Sequence, residues 1–251
     1  MKSIIPFIMS ALLLLSSCVY DTGTGFNPDD FVPANPSYAG NVHSQWWVLT
    51  NDGSSQISLY NHQTGRTTRT LNVPAQLNDP QALAFDGESL WVGGTGSGAA
   101  VYQLDPTDGS ILSVVEGIQT KGLTYAEGQV WYLNGNTVRS LPVSGGTSDM
   151  LAVRLDAGVT DITMSGTHLY SINSRMGEVK KYSLANSREE ASFSTGIDGA
   201  TNISYTENAF NLVTESNQFC AFSVENGNMN NDIPIDTPSD VTAIAPGGPV
   251  Q

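Results

Sequence analysis

Cysteine is nearly absent: the 251 residues hold two, Cys18 and Cys220. A disulfide framework is thereby excluded as the basis of the fold. Cations are scarce as well, with 10 Lys and Arg against 24 Asp and Glu and a formal charge of −14. A chain so acidic repels a phosphate backbone, which argues against nucleic acid as a partner. The carboxylates are scattered, so the charge reads as a solubility device. Long helices have no support, because Ala, Glu, Lys and Leu dominate no window. Only one long apolar run occurs, Ile4–Leu15, broken by Pro6 and Ser10. It falls short of the roughly twenty residues that a helix needs to cross a bilayer. Catalytic and cofactor signatures are missing too. There is no HExxH and no Gly-x-Ser-x-Gly turn, and His43, His62 and His168 fall in turns of different segments. Gly93–Gly98 leads into a strand without Lys or a helix start, so it reads as a flexible loop, not a phosphate cradle.

What the sequence does have is a repeat of about forty residues. Five strands rich in aromatic residues line up at Trp46–Leu49, Leu90–Gly93, Val130–Leu133, Leu169–Ile172 and Phe210–Val213. Their second positions are Trp47, Trp91, Trp131, Tyr170 and Asn211, spaced 44, 40, 39 and 41 residues apart. Around each, the sequence predicts four short strands, a to d. In the second unit these are Ala82–Phe85, Leu90–Val92, Val101–Leu104 and Ile111–Val115. Asp105-Pro106-Thr107-Asp108-Gly109 makes the c–d turn, because proline presets φ and glycine accepts positive φ. Equivalent turns recur at Asn61–Gly65, Pro142–Gly146, Ala185–Arg188 and Glu225–Gly227.

The first unit, starting near His43, lacks strand a, and the chain ends on an unaccompanied strand, Val241–Ile244. Lending that strand to the first unit completes five sets of four. A unit this short cannot bury its faces alone and must stack on its neighbours. A closed ring leaves only short, protected edges. The prediction is an all-β, five-bladed β-propeller of four-stranded antiparallel blades over residues 43–251, closed by the C-terminal strand. A ring of six or seven blades would need more chain than the irregular residues 19–42 provide. Trp47, Trp91, Trp131 and Tyr170 read as packing groups between blades. Asn211 breaks that series, so its blade either packs differently or turns Asn211 to the channel. Cys220, within Phe219–Phe222, reads as a small buried hydrophobe.

Residues 1–17 read as a signal peptide, with Lys2 ahead of the apolar run. The run ends in Leu15-Ser16-Ser17-Cys18, which resembles the lipobox of bacterial lipoproteins. The resemblance implies that Cys18 becomes an acylated N-terminus, carrying diacylglycerol and an N-acyl chain such as palmitate. Two or more chains anchor stably, at about 0.8 kcal/mol per buried CH₂. Val19, rather than Asp, after the cysteine implies the outer membrane in a Gram-negative cell. Residues 18–42, with three prolines and no periodicity, read as a lipidated flexible tether.

In such a ring the innermost strands line a channel. Aligning them puts Gln81, Lys121, Thr160, Thr201 and Ser239 at one level, and Ala82, Gly122, Asp161, Asn202 and Asp240 at the next. Gln81, Lys121, Asp161, Asn202 and Asp240 are therefore the candidate ligand-binding residues. Asp161, Asn202 and Asp240 either hold a hard cation through oxygen or bond their own backbone in turns. No residue set is predicted as catalytic, and no cofactor is implied.

Pro80–Val92 and Lys121–Tyr125 resemble the repeat units of streptogramin-lyase, NHL and YVTN-type propellers, and of the five-bladed glutaminyl cyclases. The likeness covers most of residues 43–246 as a repeat pattern. The cyclases carry Phe-x-Gln-Gly-Leu, where this chain has Leu83 and Ala84 after Gln81-Ala82. Their Asn-Glu-Leu-Glu and Glu-Ser-Thr-Gly segments have no counterpart. The expectation is a tethered, non-catalytic binding or assembly module for an envelope protein or glycan partner. The alternative is a channel-mouth enzyme of cyclase-like or lyase-like type, working through Lys121, Asp161 and Asp240.

Overall fold

The computed structural model describes residues 45–247 apart from 52, 62, 63, 144–149, 198, 207, 208, 224–228 and 234–239. The predicted signal peptide, Cys18, the tether, His43, His62 and the turn at 225–227 lie outside the described residues.

Short β-branched and aromatic runs, punctuated by glycine and aspartate turns, form strands throughout. The first blade holds β1 (Gln45–Thr50), β2 (Gln56–Asn61) and β3 (Arg66–Asn72). The second runs through β4 (Pro80–Phe85), β5 (Leu90–Gly94), β6 (Ala100–Leu104) and β7 (Ile111–Glu116). The third comprises β8 (Leu123–Ala126), β9 (Gln129–Asn134), β10 (Thr137–Pro142) and β11 (Met150–Arg154). The fourth has β12 (Val159–Ser165), β13 (His168–Asn173), β14 (Glu178–Ser183) and β15 (Arg188–Ser194). The fifth is β16 (Ala200–Thr206), β17 (Ala209–Thr214), β18 (Phe219–Ser223) and β19 (Met229–Ile233). The last strand, β20 (Val241–Pro246), returns to the first blade, whose order is β20-β1-β2-β3.

All five sheets are four-stranded and antiparallel, and β20, β4, β8, β12 and β16 stand side by side around the axis. In the closing pair, Trp46 faces Pro246, Val48 faces Ile244 and Leu49 faces Ala243. The protein is a five-bladed β-propeller closed by its C-terminal strand, as the repeat predicts.

Successive side chains of a strand point to opposite faces, so each blade offers one apolar set to the blade before it and one to the blade after. Five buried clusters result, one at each boundary. Trp47 packs with Leu83 and Tyr102 between the first and second blades. Trp91 packs with Tyr132 and Leu141 at the next boundary. Trp131 lies against the Leu133–Ile162–Tyr182 cluster, and Tyr170 joins Phe210 and Ile203. The fifth boundary joins Val213 and Phe219 to Trp46, Val48, Tyr60 and Ile244.

Asn211 occupies the aromatic position at that closing boundary. It is 7% exposed, and its Nδ2 donates to Thr206 Oγ1 at 2.8 Å and to Ser204 O at 3.4 Å. It therefore stays within its own blade and does not face the channel. The missing bulk comes from the other side of the seam. Trp46 stands where the other blades have Leu90, Val130, Leu169 and Phe210, and its ring meets Phe219 edge-on at 5.1 Å. A gap of about 10 Å³ remains beside it, lined mainly by apolar side chains. Trp46 is thus the largest group sealing the ring. Trp46→Ala is expected to cost about 3–5 kcal/mol in urea unfolding. The same change at the half-buried Trp131 is expected to cost less.

Candidate functional site

The inner strands share a defect that builds the channel mouth. Register shifts fall between Pro80 and Ala82, between Val159 and Asp161, and between Ala200 and Asn202. The closing strand shifts opposite Leu49 and Thr50, skipping Thr242. In the third blade, Lys121 N donates to Leu133 O at 3.2 Å while Leu133 N donates to Gly122 O at 2.9 Å, so both residues oppose Leu133. Each inner strand thus has one extra residue at the same height: Gln81, Lys121, Thr160, Thr201 and Thr242. A bulge of this kind re-aims a side chain and stops the ladder.

This register corrects the alignment predicted for the closing strand by three residues. Thr242 shares the level of Lys121, the place expected for Ser239, which lies outside the described residues, and Ala243, not Asp240, shares that of Asp161. Asp240 matches Asp79, Gly158 and Gly199, one residue ahead of the inner strands. All four have positive φ, at 60°, 50°, 91° and 68° respectively. Aspartate tolerates that left-handed conformation better than most side chains. The signal was present in Gly158-Val159-Thr160, Gly199-Ala200-Thr201 and Asp240-Val241-Thr242. Matching the first apolar residue, Val241, to Leu83 overlooked it.

At the mouth, Gln81 Nε2 donates to Asp79 Oδ1 at 2.7 Å, and Asp79 Oδ2 accepts from Thr95 Oγ1. Thr201 Oγ1 donates to Val213 O at 3.2 Å. Lys121 and Asp240 are exposed, and among the described residues neither side chain has a partner. The rim is therefore hydroxyls, an amide, one ammonium and two carboxylates, of which Asp79 is engaged by Gln81 and Thr95.

Asp161 and Asn202 sit one level further in, and both are buried. Asp161 Oδ1 accepts from Ile162 N at 2.8 Å, and Oδ2 accepts from Ile203 N of the next blade at 3.0 Å. Asn202 Nδ2 donates to Thr242 O at 2.7 Å, and Tyr205 N donates to Thr163 Oγ1 at 2.9 Å. The channel-side edge of an inner strand has no partner strand, so its polar backbone atoms need other partners. Polar side chains from the preceding blade supply them. Gly122 leaves room for this, because a Cβ there would run into Asp161 Oδ1. Burial raises the Asp161 pKa from 3.8 to about 8, outweighing the two N–H bonds that lower it. The predicted trio of Asp161, Asn202 and Asp240 is thus divided. No cluster of three or more His, Cys, Asp or Glu fit for a metal occurs among the described residues.

Below this level the channel narrows to about 60 Å³, lined by Leu83, Leu123, Thr163, Ile203 and Ile244 among others. That volume takes a few waters at most. Phe85, Tyr125, Met164, Tyr205 and Pro246 line its lower part. The channel interior therefore has no room for a larger ligand.

The sequence reading did not anticipate a second concavity, of about 540 Å³, lined by Gln76, Gly96, Gly98, Tyr102, Glu116 and Gln119 among others. It is built by the glycine-rich loop expected to be flexible. That loop is pinned: Thr95 N donates to Asp79 O at 3.1 Å, Thr120 N to Gly94 O at 2.9 Å and Asn78 Nδ2 to Ser97 O at 2.9 Å. A Cβ on Gly94 would collide with Asp79 O. Loop length was the available clue, since the third blade turns at the same place with only Gly135-Asn136. Of the remaining residues, Cys220 is buried in the cluster between the fourth and fifth blades. His168 Nε2 lies 3.2 Å from Glu190 on the flank of the fourth blade.

Fold and mouth together define a small five-bladed propeller with a polar channel mouth. No family model matches the chain, and no curated protein is similar to it in sequence. Solved structures do resemble it in fold. A chain from the crystal structure of a nidogen/laminin complex aligns with a TM-score of 0.54 at 9% identity, over 80% of this chain and 97% of that one. The glutaminyl cyclase of Myxococcus xanthus aligns with a TM-score of 0.54 at 10% identity, over 69% of this chain and 88% of that one. Likeness at this identity speaks for architecture alone.

The Asp161 shift has a definite sign. Between pH 3.8 and about 8 the folded chain keeps a proton there that the unfolded chain releases. Stability from this group is full below the unfolded value and is lost as pH rises through the folded one, by at most about 1.4 kcal/mol per pH unit. Asp161→Asn cannot titrate. The stability difference between wild type and variant, from urea midpoints at pH 4.5 to 8.5, is expected to move against the wild type as pH rises. A difference constant across that range would contradict the assignment.

Proposed function

We propose that the chain is a lipid-anchored protein of the cell envelope whose propeller is a non-catalytic binding or assembly module for a protein or glycan partner. Acylation at Cys18 would hold it to the membrane, the outer one in a Gram-negative cell. Residues 18–42 would give the ring its reach.

The observation that carries the non-catalytic part is the state of Asp161. It is the buried carboxyl nearest the mouth, and both its oxygens accept from backbone N–H groups of two blades. A carboxyl so placed stitches the ring, and a proton donor or acceptor must instead reach its substrate. Lys121 and the exposed Asp240 remain as rim groups suited to binding. One fold neighbour was solved in a protein–protein complex and the other is an enzyme, so the fold allows either role.

Cys18→Ser is expected to move the full chain from the membrane pellet to the soluble fraction and to abolish palmitate labelling. Retained label would remove the anchor from the account. The wild type is expected to leave peptides with N-terminal glutamine unchanged. Turnover that drops about 100-fold or more on Lys121→Ala would establish the enzyme reading instead.

A further inference from the structure

The outer strand of the second blade is unlike those of the first and fourth, which carry charges along their length. β3 carries Arg66 and Arg69, and β15 carries Arg188, Glu189 and Glu190. Charges on an outer strand block pairing with foreign strands. β7 reads ILSVVE, with its one charge at the end. Ile111, Leu112 and Val114 are 47%, 53% and 40% exposed, three of the four large hydrophobic side chains found exposed among the described residues. β7 pairs only with β6, so its far edge offers unpaired backbone groups. A bulge at Leu112 interrupts the ladder and leaves Ser113–Glu116 as its regular part.

That stretch runs into the 540 Å³ concavity. Val114 pairs with Tyr102 and Glu116 with Ala100, and Tyr102, Ala100 and Glu116 all line it. Cross-strand partners share a face, so the exposed Val114 borders the concavity on the same side. The lining holds one carboxylate, Glu116, and no cation. A second copy of this chain would bring another charge of −14 to the contact.

We infer that β7 and the adjoining concavity form a docking site for an extended, basic segment of a partner protein. The segment adds as a strand along Ser113–Glu116, lays an apolar side chain against Val114 and Tyr102, and places Lys or Arg beside Glu116. This is strand addition, in which main-chain bonds give affinity and pockets give specificity. The inference rests on the binding-module reading and selects a protein, not a glycan, as the partner.

The test uses the full chain in mild detergent and a fluorescein-labelled peptide, Lys-Val-Thr-Val-Lys-Val-Thr-Val-Lys, followed by anisotropy. Twins with Glu or Ser in place of every Lys are the controls. Saturable binding of the Lys peptide is expected at roughly 1–100 μM, with the Glu twin weaker by about 10-fold or more. Val114→Lys places a gatekeeper on the edge and should weaken binding about 10-fold or more without moving the melting temperature, since the side chain is half in solvent. Glu116→Gln should weaken the Lys peptide several-fold and leave the Ser twin unchanged. Unaltered affinity in Val114→Lys, or no saturation by about 1 mM, would overturn the inference. A dimer seen by light scattering and dispersed by Val114→Lys would overturn it in favour of self-association. Failure here leaves the Cys18 and Lys121 outcomes standing, and their failure leaves peptide binding to the edge measurable.

Discussion

The pairing of β20 with β1 is the constraint on which the rest depends. Four of the blades are continuous in sequence, and the first draws its inner strand from the far end of the chain. Without it, β1 would be an open edge at the axis, and the seam holding Trp46, Val48 and Ile244 would lose one wall. Each blade contacts only its two neighbours, so a gap at one boundary removes the circular support of all five. The closing pair also carries the bulge that puts Thr242 at the mouth, so closure sets the site as well as the fold.

A second constraint follows from the first. A closed ring has inner strands with no further strand to pair with, yet their backbone groups are buried. Asp161, Asn202 and Thr163 answer this by reaching from one blade to the backbone, or the closing strand, of the next. Acidic and amide side chains near a channel therefore have a structural explanation before any chemical one. The cost is visible at Asp161, whose carboxyl is pushed up to about 8 by burial. The groups left free for a ligand lie outward of that layer, at Lys121 and Asp240 and in the concavity beside the glycine-rich loop.

Much of the architecture was legible because it is periodic. The aromatic second positions gave the blade count, and the missing first strand with its orphan at Val241 gave the closure. Asn211 was legible as an exception but not as a compensated one, since its counterpart Trp46 lies across the seam in a different repeat. The site was less legible. A bulge adds one residue without changing composition, so Asp240 was aligned three residues out of place. Gly93–Gly98 reads as flexible in one dimension, and only the bonds from Asp79, Thr120 and Asn78 make it a wall. Long-range partners of this kind leave no local trace in a single sequence.

Amide hydrogen exchange of residues 46–49, in the full chain and in one ending at Asp240, examines ring closure most directly. The account predicts slow exchange at the level of global unfolding in the full chain, and rapid exchange with loss of cooperative melting in the shortened one. Equal protection and an unchanged melting temperature in the two proteins would contradict it.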